Sequence, residues 1–380
     1  MRRAPPPPVT LSPMARPPAH RYHLDHPELD PLVDALVVKA QEAYGEIAGV
    51  DFVRELVLTT IRLVRDKLPR GDLKLLNSAL KELRHAFHVF GPFEKVRKVA
   101  IFGSARTPPE AAAWKQAREF AERITRAGWM VITGGGDGIM GAAQGGAGRE
   151  RSFGVNIRLP FEQAANKVIA GDRKLINFRY FFTRKLMFIR QAHAVALFPG
   201  GFGTHDEGFE ALTLVQTGKS EMIPIVFVDA PGGSYWRDWQ EYVDTHLRAQ
   251  GMIHAADMNL FKVTDDIEEA ARELLRFYAN YHSSRYVGEL LAIRLRRAPT
   301  PEQLDGLNGS FHDILAGGRI ETGPALPEEM GEHAELARLL LRFNRRDTAR
   351  LRQLIDALNA YVPAEPPPPA DALPHEIRPA

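Results

Sequence analysis

Three times in this chain a short apolar run ends in a glycine-rich turn, after which the sequence resumes a helical pattern. Residues 99–102 run into Gly103-Ser104, residues 129–132 into the cluster 134–138, and residues 194–198 into Pro199 and the cluster 200–203. Uninterrupted apolar runs of this length read as parallel strands buried on both faces. Helices are expected after the turns over 109–127, 139–148 and 204–218. Further strands are expected over 153–159, 223–228 and 259–263, with helices over 182–192, 236–250 and 265–281. Repeated strand–helix alternation with glycine at the strand ends predicts an α/β chain. Its centre is a doubly wound, Rossmann-like parallel sheet with the ligand site at the C-terminal strand edge.

The flanks have a different texture. Residues 1–25 form a proline-rich arm, with Pro5, Pro6, Pro7 and Pro8 in a row, and 363–380 a proline-rich tail; both are expected to be disordered linkers. Residues 28–95 carry apolar positions at helical spacing and predict an N-terminal segment of roughly three helices. The sheet domain is expected over 96–282. A small α/β and helical extension should occupy 283–362: a strand over 291–296, a helix over 300–315, an extended piece over 319–322 and a long helix over 332–361.

At 380 residues the chain has room for a large core plus additions. A formal charge of +2 gives no argument for nucleic acid or a membrane surface, and no apolar run reaches membrane-span length. With no cysteine, disulfides, thiolate metal sites and cysteine nucleophiles are excluded. The expectation is a cytoplasmic protein.

The stretch Pro199-Gly200-Gly201-Phe202-Gly203-Thr204-His205-Asp206-Glu207 concentrates the chemistry. A strand, a glycine turn and a helix start direct free N–H groups and the positive end of the helix dipole outward, which suits an anion. Thr204 offers a hydroxyl and a helix cap, and Glu207 places an acid one turn further on. The other glycine edges, Gly103-Ser104 and Gly135, Gly136 and Gly138, are expected beside it, making a cradle for a nucleotide or sugar phosphate. The dinucleotide register G-x-G-x-x-G is not met, and G-x-x-x-x-G-K-[ST] is absent, so a mononucleotide fits better. Upstream, Arg184-Lys185 lies among Tyr180, Phe181, Phe182, Leu186 and Met187. An arginine held near a buried site would pair with a phosphate, ribose or carboxylate. His205 is expected to be satisfied locally or to face solvent.

Arg184-Lys185 followed by Pro199-Gly200-Gly201-x-Gly203-Thr204-x-x-Glu207 resembles the signature of the LOG ("lonely guy") family of phosphoribohydrolases, whose members also carry the label "possible lysine decarboxylase". Gly134-Gly135-Gly136-x-Gly138-Ile139-Met140 is similar to the family's earlier glycine motif, and the resemblance spans about 97–282. It implies hydrolysis of the N-glycosidic bond of a nucleoside 5′-monophosphate, AMP or an N6-modified adenine (cytokinin-type) nucleotide, to free base and ribose 5-phosphate. Arg184 and Glu207 would carry the chemistry, with Arg184 holding Glu207 ionised. Lys185, Gly103, Ser104, the second glycine cluster and the turn Gly200, Gly201, Phe202, Gly203 and Thr204 would bind substrate. No metal or other cofactor is implied, and the partner expected is a second copy of the chain. Two other readings stand beside this one. One is a nucleotide-binding carrier or sensor using the same cradle without turnover. The other is lysine decarboxylation, which would need pyridoxal phosphate on Lys185 or Lys219.

Overall fold

The computed structural model describes residues 22–24, 26–158 and 164–363. The arm expected over 1–25 therefore lies outside the described residues except for 22–24, as does the tail over 363–380 beyond Pro363. Residue contacts divide the chain into two compact units, meeting between Ser78 and Ala79.

In the first unit, α1 (Leu29–Tyr44) and α2 (Val50–Arg65) bury Val33, Val37 and Leu58 together with Leu24. Leu24 belongs to the expected arm, so that expectation is corrected at this point. Arg54 and Arg62 donate to the carbonyls of Tyr22 and His23, which fastens this lead-in to α2. The division into units falls inside α3 (Arg70–Phe90).

The second unit is centred on a seven-stranded parallel sheet. Its strands are β1 (Lys98–Phe102), β2 (Met130–Thr133), β3 (Ser152–Ile157), β4 (Leu175–Phe178), β5 (Ala194–Leu197), β6 (Ile225–Val228) and β7 (Lys262–Thr264), in the order β4-β3-β2-β1-β5-β6-β7. Every residue of β1, β2, β5 and β6 is buried, which is why these strands read as unbroken apolar runs. The helices between them are α4 (Ala112–Arg126), α5 (Ile139–Ala147), α6 (Phe181–Gln191), α7 (Phe202–Gln216) and α8 (Tyr235–Tyr242), and α9 (Ile267–Phe277) follows β7. Phe90 at the end of α3 stacks on Phe153 at 4.3 Å between centroids. From β1 the chain winds outward to β4, and from β5 it winds the other way to β7. The order reverses between β1 and β5, which opens a crevice beyond their carboxyl ends.

A second sheet, antiparallel and ordered β10-β11-β9-β8, is built by β8 (Tyr281–Val287), β9 (Leu290–Leu295), β10 (Leu315–Gly323) and β11 (Ala337–Phe343), with α10 (Pro301–Ser310) and α11 (Thr348–Ala360). It shares one continuous core with the parallel sheet. Asn359 of α11 bonds the backbone of Phe277, Asn280 and Tyr281, and Thr348 donates to the carbonyl of Gln216.

Several expectations are corrected. The helix expected over 332–361 is a strand, a turn and a helix: the run Leu339-Leu340-Leu341 pairs with β9 and β10, and the chain turns at 344–347 before α11. The strand expected over 259–263 begins only at Lys262, after a short 3-10 turn, and α10 stops at Ser310. The helix expected to start at Thr204 starts at Phe202. Strands β4 and β8 are additional; Leu159, in the run expected to continue β3, lies outside the described residues. Among the described residues no helix is long and apolar enough to cross a membrane.

Candidate active site

A cavity of about 690 Å³ opens at the β1/β5 crevice. The loops that shape it are stitched together by backbone bonds: Ser104 N–H donates to Pro199 O at 3.1 Å, and Ile139 N–H to Ser104 O at 3.0 Å. This close approach requires glycine at 138. Gly138 has φ +63°, and a Cβ there would lie 2.3 Å from Ser104 O. The hydroxyl of Ser104 accepts from Arg106 N–H at 3.1 Å, which leaves its own proton free for a ligand.

Helix α7 begins at the cavity wall with Gly201 as its N-cap and no capping side chain. Phe202, Gly203 and Thr204 are the first three helical residues, so Thr204 is not the cap expected for it. Instead its buried side chain packs against Gly200, where an added Cβ would fall 2.1 Å from Thr204 Oγ1. The N–H groups of Gly201, Phe202 and Gly203 precede the intrahelical ladder, and the helix dipole points its positive end at the same space. The ring of Phe202 is 97% exposed at the rim, so this residue can serve an anion only through its backbone.

Arg184 on α6 and Glu207 on α7 meet at the inner end. Met187 and Phe188, both fully buried, anchor α6 on the sheet, each contributing about 2 kcal/mol of burial. Arg184 Nε donates to Val155 O at 2.9 Å, its guanidinium lies over Phe188, and Nη1 is 3.5 Å from Glu207 Oε1. Glu207 is 4% exposed, and its Oε2 has no hydrogen-bond partner among the described residues. Burial raises the Glu207 carboxyl to about 7, more than Arg184 and Lys185 lower it, while Glu210 and Asp206 add to the rise. The expectation that Arg184 holds Glu207 ionised is therefore corrected: desolvation outweighs the arginine.

Other expected site residues are placed differently. Lys185 does not line the cavity. Its Nζ is 2.7 Å from both Asp206 Oδ2 and Glu210 Oε2, which clamps α6 to α7. Burial lowers its pKa, but bonds to those carboxylates outweigh this and raise it. We expect Lys185→Met to lower kcat roughly tenfold with KM little changed, because reacting groups on two helices lose their alignment; steady-state kinetics measures the split. Gly135 and Gly136 stand behind the wall formed by Gly134 and Met140. Their carbonyls accept from Asn166 Nδ2 at 3.0 and 2.8 Å, and Asn166 also bonds Gln144.

Asn166 and Gln144 carried no recognisable signal. Tyr235 did, in the turn Gly232-Gly233 that follows β6 and is a fourth glycine turn on the same sheet edge. Tyr235 and His205 both line the cavity; His205 is satisfied locally, as expected, by Tyr235. Among the described residues no cluster of three His, Asp or Glu side chains is placed to hold a metal ion.

A family model described as "Possible lysine decarboxylase" matches residues 139–274, which include Arg184, Glu207 and Tyr235. A cytokinin riboside 5′-monophosphate phosphoribohydrolase of Mycobacterium tuberculosis is 30% identical over 179 residues, covering 46% of this chain and 91% of that protein. Among solved structures, a molybdenum cofactor binding protein from Rippkaea orientalis superposes with a TM-score of 0.32 at 17% identity, over 46% of this chain and 91% of its own. A molybdenum cofactor carrier protein from Chlamydomonas reinhardtii gives 0.33 at 19% identity, over 46% and 94%. Superpositions this loose bear no functional weight.

Proposed function

Because the chain belongs to the LOG family, we propose that it hydrolyses the N-glycosidic bond of a nucleoside 5′-monophosphate, giving free base and ribose 5-phosphate. One observation carries the reading: a buried carboxylate with an unpartnered oxygen, Glu207 Oε2, shares a cavity with the open N-terminus of α7. The N–H groups at the start of α7 and the Ser104 hydroxyl bind the 5′-phosphate, and this tether sets the anomeric carbon against Glu207. As the C1′–N bond breaks, the electron pair leaves with the base and positive charge develops on the ribose. The Glu207 carboxylate stabilises that charge and takes a proton from the attacking water, whose oxygen bonds to C1′; the departing base takes a proton from solvent water, and Glu207 returns the one it holds to solvent. With its pKa near 7, Glu207 suits proton transfer at neutral pH. Arg184 faces the same carboxylate and offsets part of the burial that disfavours its ionised form.

Adenine nucleotides are the first class to test, since the relative from M. tuberculosis is named for a cytokinin riboside 5′-monophosphate. Incubation with AMP, GMP, CMP and UMP, with base release followed by chromatography, should show free base and ribose 5-phosphate in equal amounts from at least one of them. Nucleotide binding without base release would instead support a carrier or sensor. Lysine decarboxylation is disfavoured by the side chains nominated for it. Lys185 is held protonated by two carboxylates, and Lys219 is exposed beyond the end of α7.

A further inference from the structure

Helix α8 reaches the cavity wall with its first residue, Tyr235. Its start is fixed by Asp229, a 1% exposed carboxylate just beyond β6, which accepts from Trp236 N–H at 2.8 and 3.0 Å and from Arg237 N–H at 3.2 Å. Trp236 is fully buried and packs edge-on against Phe227 of β6. Tyr235, the residue before it, is thereby carried on a rigid mount to the Gly200 turn.

There its hydroxyl donates to Gly200 O and lies 2.7 Å from His205 Nε2. A phenol has one proton, and a carbonyl cannot donate. The proton of Tyr235 is therefore committed to Gly200 O, and the second contact requires His205 to donate Nε2–H to the phenolic oxygen. This fixes the His205 tautomer and makes a directed chain, His205 to Tyr235 to Gly200. The imidazole packs against two adjacent rings, Trp236 at 5.2 Å and Tyr235 at 5.9 Å between centroids. Because the peptide unit is planar, holding Gly200 O also fixes the direction of the Gly201 N–H, one of the groups that meets the anion.

We propose that Tyr235 is a positioning residue for the phosphate turn: its hydroxyl locks the Gly200–Gly201 peptide plane, and His205 holds that hydroxyl in place. The inference rests on the reading that this turn binds a phosphate. It assigns a binding role to a residue outside the turn, on a different helix, that touches no reacting atom.

The test is calorimetric titration of the full-length chain with inorganic phosphate and with ribose 5-phosphate, beside steady-state kinetics. Tyr235→Phe keeps the ring and removes the latch. It should weaken both ligands and raise KM about tenfold, with kcat changed less than twofold. His205→Phe, which keeps a ring but lacks the donor, should match it, and the double variant should be no worse than either single one. His205→Gln keeps an N–H donor and should bind phosphate within about twofold of the parent chain. The proposal is overturned if Tyr235→Phe binds phosphate as the parent does, whether or not its melting temperature falls, or if kcat drops while phosphate affinity stands. It is also overturned if the parent chain binds no phosphate. If the parent binds phosphate but releases no base from any nucleotide, and Tyr235→Phe still weakens phosphate, the hydrolase reading fails and the latch stands.

Discussion

Glu207→Gln is expected to lower kcat for base release about 10³-fold while phosphate affinity stays within about twofold. Glutamine matches the shape of the side chain, so the packing that leaves Glu207 4% exposed is preserved; only the charge and the proton-accepting oxygen are lost. The pH profile gives a second readout. Glu207 acts as the ionised form and titrates near 7, so kcat/KM of the parent should climb with pH to about 7 and then level, and that limb should vanish in the glutamine variant. Stability should move the other way. A carboxyl whose folded-state pKa is raised from 4.5 to about 7 contributes most at acid pH, and the contribution is lost as pH rises through 7. At pH 8 the buried charge costs about 3 kcal/mol, so Glu207→Gln should melt higher than the parent there and equally at pH 4. If Glu207 served only the helix dipole, the variant would turn over normally and melt lower, and the proposed chemistry would be wrong.

The parts of this molecule that could be read from sequence are those in which one physical requirement dominates. Strands β1, β2, β5 and β6 are buried on both faces, so their residues had to be apolar without interruption. Their glycine ends had to admit backbone contacts such as that of Gly138 with Ser104. Strand β4 escaped because it is an edge of four residues in which only Ile176 and Phe178 turn inward. Among site residues, Arg184 and Glu207 were visible through a fixed motif. The direction in which Lys185 points was not, since it depends on Asp206 and Glu210 standing one turn apart on α7, a tertiary match between two helices. The protonation of Glu207 is not legible for a related reason: the arginine is visible in sequence, whereas the desolvation that outweighs it is a property of the assembled wall. The turn Gly232-Gly233 marks where Tyr235 stands, but the carbonyl through which it acts leaves no trace in a sequence.

The segment 332–361, which holds β11 as well as α11, carries the second large effect, in the antiparallel sheet. Arg338 on β11 and Arg294 on β9 are direct cross-strand partners, and both are buried. Like charges in that relation repel, and what reconciles them is Glu329, itself fully buried. Its Oε2 accepts from Arg338 Nε at 2.9 Å and its Oε1 from Arg294 at 2.7 Å; Leu326 N–H adds a bond at 3.0 Å. Burial raises the pKa of this carboxyl, but the bonds from Arg338, Leu326 and Arg294 prevail and hold it at about 2. Its contribution to stability is therefore present above the ordinary carboxylate range and is lost as pH falls toward 2. Glu329→Gln leaves two buried guanidinium groups facing each other with only the exposed Glu332, 3.2 Å from Arg294, as counter-charge, and is expected to cost about 3–5 kcal/mol, read as a lower urea midpoint at pH 7. The loss should narrow toward pH 2, where the parent carboxylate is protonated as well. Replacing the three together, Arg294→Leu, Glu329→Met and Arg338→Leu, removes the buried charges of this cluster and should recover most of that midpoint. An unchanged midpoint in Glu329→Gln would mean that water reaches the arginines. The sheet would then owe its cohesion to Leu339, Leu341 and Phe343, which alternate with the arginines along β11.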